Sequence, residues 1–316
     1  MLGIEVLGTG SYAPPKRVTN DDLSKIMDTN DAWIASRTGI RSRHYAVAET
    51  NVEMAAAASE KALAAAGISK EEIGVCVFST FTPDTMTPTM ACTLQGALSL
   101  PQDIIALDIN GACAGFLYGL SVVYGLLMQN PGKCGLLVGS EIISQVLDFT
   151  DRSTAVLFGD GAGAVVVRLK EDTPFVFAAG AACDTEVIRC SGVQGIKNGL
   201  KPAVTMAGKE VFRFAVDIVP KCINELLQQG KITLDQVDYV VCHQANERII
   251  SHVYKKLQAP PQKFFVNLQE YGNTSSASIP LALDEMNSRG LLQRGMKILC
   301  VGFGAGLSWG GVLFQW

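Results

Sequence analysis

Cys113 is the residue of this 316-residue chain whose type and setting most favour nucleophilic chemistry. It follows an apolar run at 104–107, which predicts a buried strand, and precedes a proline-free apolar segment at 114–128, which predicts a helix. Glycine and alanine on both sides (NGACAGF) leave room for a sharp turn and for a carbonyl group to approach the sulfur. The positive end of the helix dipole favours the thiolate that attacks carbonyl carbon. A buried structural cysteine has equal support from these residues alone.

His243 and Asn273 are two further candidates, because each lies beside a predicted element. His243 follows the β-rich apolar segment 239–242 and is one of only 3 histidines in the chain. Asn273 lies in the polar stretch 267–278, which leads into a predicted helix. The alternative roles are a structural histidine and an Asx turn or helix cap, and the local sequence leaves both open.

A glycine-rich segment at 301–308 (VGFGAGLS) follows another apolar predicted strand. Its glycines permit a tight turn whose exposed amides can hold a developing oxyanion. A phosphate cradle is the alternative, but the spacing is neither a Walker pattern nor a complete dinucleotide fingerprint. We therefore expect an oxyanion-binding loop at this position.

The composition is that of an ordered globular protein, with 48% hydrophobic residues and a mean hydropathy of +0.24. The 9 cysteines are odd in number and form no CxxC pair, which favours reduced thiols in a cytoplasmic protein. The start of the chain does not have the pattern of a signal peptide, and no apolar run approaches the roughly 18 residues of a membrane span. A net charge of −4 disfavours general nucleic-acid binding. No residue spacing indicates a metal site.

Helix and strand patterns alternate along the chain, which predicts an α/β fold with a buried sheet. A long-period repeat is also visible. Gly67 and Gly230 end equivalent predicted helices, Gly139 and Gly302 end equivalent predicted strands, and both pairs are 163 residues apart. The sequence therefore predicts two similar halves, residues 1–170 with the cysteine and 171–316 with the histidine and asparagine, and a site in the cleft between them.

Taken together, these motifs closely resemble the β-ketoacyl-acyl-carrier-protein synthase III family of the thiolase superfamily. The resemblance spans essentially the whole chain and is carried by GACAGF around Cys113, HQAN at His243, YGNTSSASIP around Asn273, GFGAGLSWG at 302–310, WI and RTGI within 33–40, TDR at 150–152 and FGDGAG at 158–163. The family fold is thiolase-like, with five αβαβα layers and two similar halves that contain mixed sheets. This agrees with the repeat.

The resemblance also implies a reaction. An acyl-coenzyme A primer transfers its acyl group to Cys113, and the backbone N–H groups of Cys113 and Gly306 form the oxyanion hole. Malonyl-acyl-carrier protein then loses carbon dioxide, and the resulting enolate, stabilised by His243 and Asn273, attacks the thioester to give 3-oxoacyl-acyl-carrier protein. Coenzyme A enters as part of a substrate, and no cofactor or metal is implied. The family also implies a homodimer, which the sequence alone does not prove.

Binding residues are carried over from the family at matching positions. Trp33 resembles the residue that stacks on the adenine of coenzyme A, Arg37 and Arg152 resemble those that meet its nucleotide and phosphates, and Gly208 and Phe212 resemble walls of the pantetheine channel. Docking of the acidic carrier protein is assigned to a basic face formed by Arg213, Arg248, Lys255 and Lys256. Without the resemblance, these residues would be interpreted as a packing tryptophan, surface arginines and a solvated helix face.

Thr87 bears on the choice of primer. In several acetyl-specific relatives the position of Thr87 carries phenylalanine, and that bulky side chain closes the primer pocket across the dimer. The smaller threonine leaves acetyl, branched and longer primers open. The residues also leave open a related condensing enzyme of secondary metabolism, such as a polyketide synthase, and a non-catalytic acyl-binding subunit.

Overall fold

The computed structural model describes residues 2–316, and this part of the chain contains 13 strands and 11 α-helices. The strands are β1 (Leu2–Tyr12), β2 (Arg17–Thr19), β3 (Ser42–His44), β4 (Ile73–Ser79), β5 (Ile105–Ile109), β6 (Cys134–Glu141), β7 (Gly161–Glu171), β8 (Phe175–Asp184), β9 (Ile188–Cys190), β10 (Val204–Met206), β11 (Tyr239–Cys242), β12 (Lys297–Gly304) and β13 (Gly306–Gln315). The helices are α1 (Asn20–Ser24), α2 (Asp31–Thr38), α3 (Asn51–Ala66), α4 (Met90–Leu98), α5 (Gly115–Leu127), α6 (Arg152–Ala155), α7 (Val193–Lys197), α8 (Gly208–Gly230), α9 (Glu247–Lys256), α10 (Leu268–Tyr271) and α11 (Ser278–Ser288).

Five strands of the first half form a mixed sheet in the order β1, β7, β6, β4, β5. β4 runs parallel to β5 and β6, whereas β7 is antiparallel to β6 and β1. β4 and β6 are central and fully buried, as is typical of parallel strands covered on both faces. β5 is at the edge, and Ile105 is 37% exposed. The prediction of a buried strand before Cys113 is therefore wrong, because no strand within residues 2–316 covers the outer edge of β5.

The second half forms a sheet in the order β11, β12, β13, β8. β11 and β12 are parallel, and β13 is antiparallel to β12 and β8. This repeats the order and directions of β4, β6, β7 and β1 in the first sheet, so the predicted α/β fold with mixed sheets in two similar halves is confirmed. β7 ends at Glu171, and we propose that the division into residues 1–170 and 171–316 falls there.

Helices and sheets alternate in five layers. α3 and α4 pack on the outer face of the first sheet, α8 and α9 on the outer face of the second, and α5 and α11 lie between the sheets. α5 contains no charged residue, because it is enclosed by sheet on both sides. α9 is amphipathic and buries Ile249, Ile250 and Val253 on one face. The predicted αβαβα architecture is confirmed.

Strand ends of both sheets lead to the candidate site. β5 ends shortly before Cys113, and β11 ends directly before His243. β5 and β11 each run parallel to a neighbouring strand of their own sheet. The loops that follow parallel strands are a common place for a site in α/β proteins. Among residues 2–316, no helix has the length and apolar character needed to cross a membrane, and no group of three or more His, Cys, Asp or Glu side chains is arranged to hold a metal ion.

Candidate active site

Cys113 lies in a short 3-10 turn, Ala112–Ala114, that leads directly into α5. Ala112 has a φ of 47°, in the left-handed region that side chains rarely adopt, and its N–H donates to Asn110 Oδ1 at 3.1 Å. Cys113 is only 7% exposed, and burial raises the pKa of its thiol to about 12. Burial therefore opposes the thiolate that the dipole of α5 favours, and a thiolate at Cys113 stays a prediction.

His243 extends the pairing of β11, because its N–H donates to Val301 O at 2.8 Å. Its ring Nδ1 lies 2.7 Å from Ser278 Oγ, and this hydroxyl accepts a hydrogen bond from Gln244 N at 3.3 Å. Because Ser278 Oγ already accepts from Gln244 N, we assign its proton to Nδ1, which places the proton of the neutral ring on Nε2. Burial lowers the pKa of His243 to about 3, which keeps the ring neutral. The edge of Phe303 packs against it, with ring centroids 5.7 Å apart.

Asn273 is held by its backbone and by its own side chain. Its N–H donates to Leu157 O at 2.8 Å, and its C=O accepts from Gly159 N at 3.0 Å. Its Oδ1 accepts the N–H of Ser275 at 2.9 Å, which is an Asx turn. Because the acceptor end of the amide is occupied, the Nδ2 group is left to donate. The Asx turn expected as an alternative role for Asn273 is therefore present, and it leaves the Nδ2 group available to donate.

Glycines of the 301–308 segment let backbone approach Cys113 closely. A Cβ on Gly304 would lie 2.8 Å from Cys113 N, and a Cβ on Gly302 would lie 3.3 Å from His243 Cβ. Gly304 thus leaves open the space in front of the Cys113 amide. Gly306 follows with a φ of 138° and is exposed to the cavity beside Cys113.

Two cavities meet at Cys113. The smaller has a volume of about 80 Å³ and is lined by residues that include Cys113, His243, Asn273, Gly208 and Phe212. The structure therefore brings together the three candidate catalytic residues and the two expected channel residues. The larger has a volume of about 610 Å³ and is lined by apolar side chains that include Phe81, Ile109, Ile188 and Val204.

Trp33, Arg37 and Arg152 form a second group beside the smaller cavity. The guanidinium carbons of Arg37 and Arg152 lie 4.6 and 5.3 Å from the centre of the Trp33 ring. Asn246, which lines the smaller cavity, donates from Nδ2 to Arg37 O at 3.1 Å. Arg152 is also paired with Asp28 at 2.9 Å. The three expected nucleotide-binding side chains are thus adjacent to one another.

The four expected basic residues lie on two adjacent helices of the outer layer, Arg213 on α8 and the others on α9. All four are exposed. Lys256 is paired with Asp217 at 3.2 Å, whereas Arg213, Arg248 and Lys255 have no ion pair within residues 2–316. Arg248 lies 6.0 Å above the ring of Phe212, so this face adjoins the channel.

Thr87 is exposed in the loop between β4 and α4 and does not line the cavity of its own chain. Its neighbours Thr85 and Met86 do line the larger cavity, and Met86 is 83% exposed.

Sequence reasoning included Ser275, Ser278, Phe303 and Gly304 in the candidate segments but assigned none of them an individual role. The serines that follow Asn273 in NTSSAS were a visible signal, since short polar side chains after a turn often orient its members. The role of Gly304 was not visible, because it depends on contact between two distant segments.

Comparison with known proteins places the chain in a family. Residues 107–184 match the family model described as 3-Oxoacyl-[acyl-carrier-protein (ACP)] synthase III, and residues 227–316 match that of its C-terminal part. The beta-ketoacyl-[acyl-carrier-protein] synthase III of Clostridium acetobutylicum is 42% identical over 324 residues, covering 100% of this chain and 99% of that protein. The enzyme of the same name from Acholeplasma laidlawii is 41% identical over 318 residues, covering 99% of each.

Solved structures agree. The 3-oxoacyl-[acyl-carrier-protein] synthase III of Aquifex aeolicus VF5 is 40% identical with a TM-score of 0.92, covering 99% of this chain and 100% of that one. The priming β-ketosynthase of the R1128 polyketide pathway is 36% identical with a TM-score of 0.92, covering 99% of this chain and 96% of that one.

The fold defines a thiolase-like condensing enzyme. Within that class, the chain belongs to the β-ketoacyl-[acyl-carrier-protein] synthase III family and is a condensing acyltransferase that initiates fatty-acid synthesis.

Proposed function

We propose that this enzyme joins an acyl-coenzyme A primer to malonyl-acyl-carrier protein by decarboxylative Claisen condensation. The products are 3-oxoacyl-acyl-carrier protein, coenzyme A and carbon dioxide. The observation that carries the proposal is that two neutral N–H donors, on His243 and Asn273, line the same small cavity as the thiol of Cys113. This set fits a reaction in which negative charge develops on a thioester oxygen.

In the first step, the sulfur of Cys113 attacks the primer's carbonyl carbon. The N–H groups of Cys113 and Gly306 stabilise the tetrahedral oxyanion, and the C–S bond to coenzyme A then breaks. The thiol proton leaves with coenzyme A, which is released as a free thiol. The open space that Gly304 leaves in front of Cys113 N supports this use of the amide.

In the second step, malonyl-acyl-carrier protein loses carbon dioxide and becomes an enolate. His243 Nε2–H and Asn273 Nδ2–H donate to its thioester oxygen. The enolate carbon attacks the acyl carbon on Cys113, a C–C bond forms, the C–S bond breaks, and the thiolate of Cys113 takes up a proton. A carboxylate in place of the Asn273 amide would repel the developing charge. The two thioester substrates and the protein groups named here account for every bond that forms or breaks, and no electrons are exchanged with a cofactor.

Substrate binding follows from the groups around the channel. The Trp33 face suits stacking on adenine, and Arg37 and Arg152 beside it suit phosphates. Gly208 and Phe212 line the channel that would hold the pantetheine arm. For the acidic carrier protein we propose the adjoining basic face formed by Arg213, Arg248, Lys255 and Lys256.

We propose a homodimer formed along the free edge of β5. A bare strand edge with the partly exposed Ile105 and the exposed Met86 nearby suits pairing with a second copy. Thr87 of one chain would then reach the primer cavity of its partner.

The larger cavity of about 610 Å³ supports branched or longer primers as well as acetyl. Nine free cysteines support a reducing compartment, the cytoplasm.

The test is intact-protein mass spectrometry after incubation with acetyl-, isobutyryl- or octanoyl-coenzyme A, with Cys113→Ala as the matched control. We expect one acyl adduct on the wild type and none on the variant, and the adduct yields rank the primers. An adduct that persists on Cys113→Ala would contradict the assigned nucleophile. Folded wild type without any adduct would point to a carrier-loaded primer or a non-catalytic acyl-binding subunit.

A further inference from the structure

The side chain of Glu141 is fully buried at the end of β6, 0% exposed, and the reaction just described does not use it. It forms no ion pair with any residue in 2–316, and all its hydrogen-bond partners are neutral: Thr80, Phe81, Thr82 and Ser276. A buried carboxylate without a positive partner is costly, so its protonation state needs an explanation.

One oxygen of Glu141, Oε2, is purely an acceptor. It lies 2.9 Å from Thr80 Oγ1, 2.6 Å from Thr82 Oγ1 and 3.1 Å from Phe81 N. Both hydroxyls already accept an N–H, from Asn51 Nδ2 at 3.1 Å and Ile142 N at 3.0 Å respectively. Their own protons are therefore free to point at Oε2.

The other oxygen, Oε1, accepts from Phe81 N at 3.4 Å and lies 2.8 Å from Ser276 Oγ, which is also 3.0 Å from Ser79 O. Serine has one hydroxyl proton, and an ionised Glu141 would leave two acceptors competing for it. A proton on Oε1 resolves this, because Glu141 then donates to Ser276 and Ser276 donates to Ser79 O. The hydrogen bonds are complete only when the carboxyl group is neutral.

Glu141 also joins the two halves of the enzyme beneath the site. Its partners at 80–82 belong to the first half, and Ser276 belongs to the turn Ser275–Ala277 of the second. The same turn supplies Ser275 N to Asn273 and leads to Ser278, which contacts His243. A change at Glu141 therefore reaches both N–H donors through a single turn.

We propose that Glu141 is a positioning residue that acts as a neutral carboxylic acid, and that its ionisation slows condensation. The proposal rests on the proposed function, because its effect runs through His243 and Asn273. Ionisation removes the proton that Glu141 donates, so Ser276 can serve only one of Oε1 and Ser79 O, and it adds negative charge near the cavity where the enolate forms.

The electrostatics agree with this assignment. Burial raises the pKa of Glu141 to about 7, and burial, together with a smaller effect of negative charge on Glu141, raises the pKa of Cys113 and of Cys190. Cys113 and Cys190 are thus titratable groups that feel the charge of Glu141. Asp84 and Asp160, on the neighbouring loops, are carboxylates that accept from Asn51 N and Ser144 N.

Glu141→Gln is the decisive variant. Its amide Nε2 can donate to Ser276 and its oxygen can accept from the threonines, but it cannot ionise. We expect wild type to lose condensation rate above pH 7, and we expect the Gln variant to stay within about threefold of wild type at pH 6 and to show no such loss. Glu141→Leu, which removes every bond of the group, should condense slowly at all pH values. Equal loss in the Gln and Leu variants at pH 6 would overturn the proposal.

Two measurements do not depend on activity. Infrared difference spectra of wild type against Glu141→Gln should show a protonated carboxyl band that vanishes as the pH rises through neutrality. The unfolding equilibrium supplies the second test, because the pKa of Glu141 is higher in the folded state than its ordinary value of 4.5. Relative to the Gln variant, wild type then has its full extra stability below about pH 4.5, and the ratio of its unfolding constant to that of the variant rises about tenfold per pH unit between pH 4.5 and the folded pKa of about 7.

These readouts separate the two ideas. A band that is absent at pH 6, or a ratio of unfolding constants that does not change with pH, would overturn the neutral carboxyl. If the band and the pH-dependent ratio are present but wild type does not condense at any pH, the proposed function fails while the protonation state stands.

Discussion

The hydroxyl of Ser278 lies 2.7 Å from Nδ1 of His243 and also accepts the N–H of Gln244. This relationship sets the tautomer of the ring, because the hydroxyl has its proton left for Nδ1. Ser275 orients the amide of Asn273, because its N–H donates to Oδ1 and leaves Nδ2 to donate elsewhere. The turn Ser275–Ala277 and the first residue of α11, Ser278, thus orient both side chains as donors toward the cavity beside Cys113.

Ser278→Ala should slow the decarboxylation of malonyl-acyl-carrier protein about tenfold, because about 1 to 1.5 kcal/mol of orientation is lost at His243. Acylation of Cys113 should stay near the wild-type rate. Carbon dioxide release and acyl-enzyme mass, measured in parallel, separate the two steps. Ser288→Ala, at the exposed end of the same helix, is the control and should affect neither. Equal slowing of both steps by Ser278→Ala would argue against a tautomer role.

Asn273→Ala should still form the acyl-enzyme but condense poorly. Loss of one donor to a developing oxyanion typically raises the barrier by about 3 to 4 kcal/mol. Asn273→Asp should be at least as slow, because its carboxylate repels the enolate. Single-turnover assays that start from preformed acyl-enzyme measure the condensation step directly. Normal decarboxylation by either variant would refute the role assigned to Asn273.

Gly304→Ala should impair acylation, because the new Cβ would lie 2.8 Å from Cys113 N and fill the space in front of that amide. We expect a loss on the order of 100-fold or more, the effect of one oxyanion donor. Gly125→Ala is the matched control. Gly125 lies in α5 with no atom within 4 Å of its added Cβ, so this change should leave activity intact and stabilise the fold by about 0.5 to 1 kcal/mol. Wild-type acylation by folded Gly304→Ala would exclude Cys113 N as a donor.

Arg248→Glu should weaken the affinity for the acyl-carrier protein and leave acylation by acyl-coenzyme A largely unchanged. The binding of wild type should decrease with added salt, since exposed charges are screened. Lys231→Glu provides the same charge change at the other end of α8, about 27 Å along the helix from Arg213. The measurement is the dissociation constant for acyl-carrier protein of wild type and of both variants, obtained by titration at low and at high salt. An affinity for Arg248→Glu equal to that of Lys231→Glu at low salt would remove this face as the docking surface.

The strand and helix patterns could be predicted from sequence because they follow from local periodicity. The 163-residue repeat is reproduced by the matching strand orders of the two sheets, and the apolar segment after Cys113 forms α5. β5 shows the limit of this reasoning. The apolar run at its start predicts a buried strand, and the sheet order reveals that β5 is at the edge.

By itself, the sequence determined the identities of Cys113, His243 and Asn273 as candidates, because residue type and position relative to a predicted element are local properties. Tertiary structure decided their chemical states. Burial raises the pKa of the Cys113 thiol and lowers the pKa of His243, and Ser278 and Ser275 bond to the two side chains proposed as donors. The physical reason is that desolvation and hydrogen-bond direction depend on which distant segments surround a group. Glu141 is the clearest case, since its neutral partners come from segments as far apart in the chain as Thr80 and Ser276.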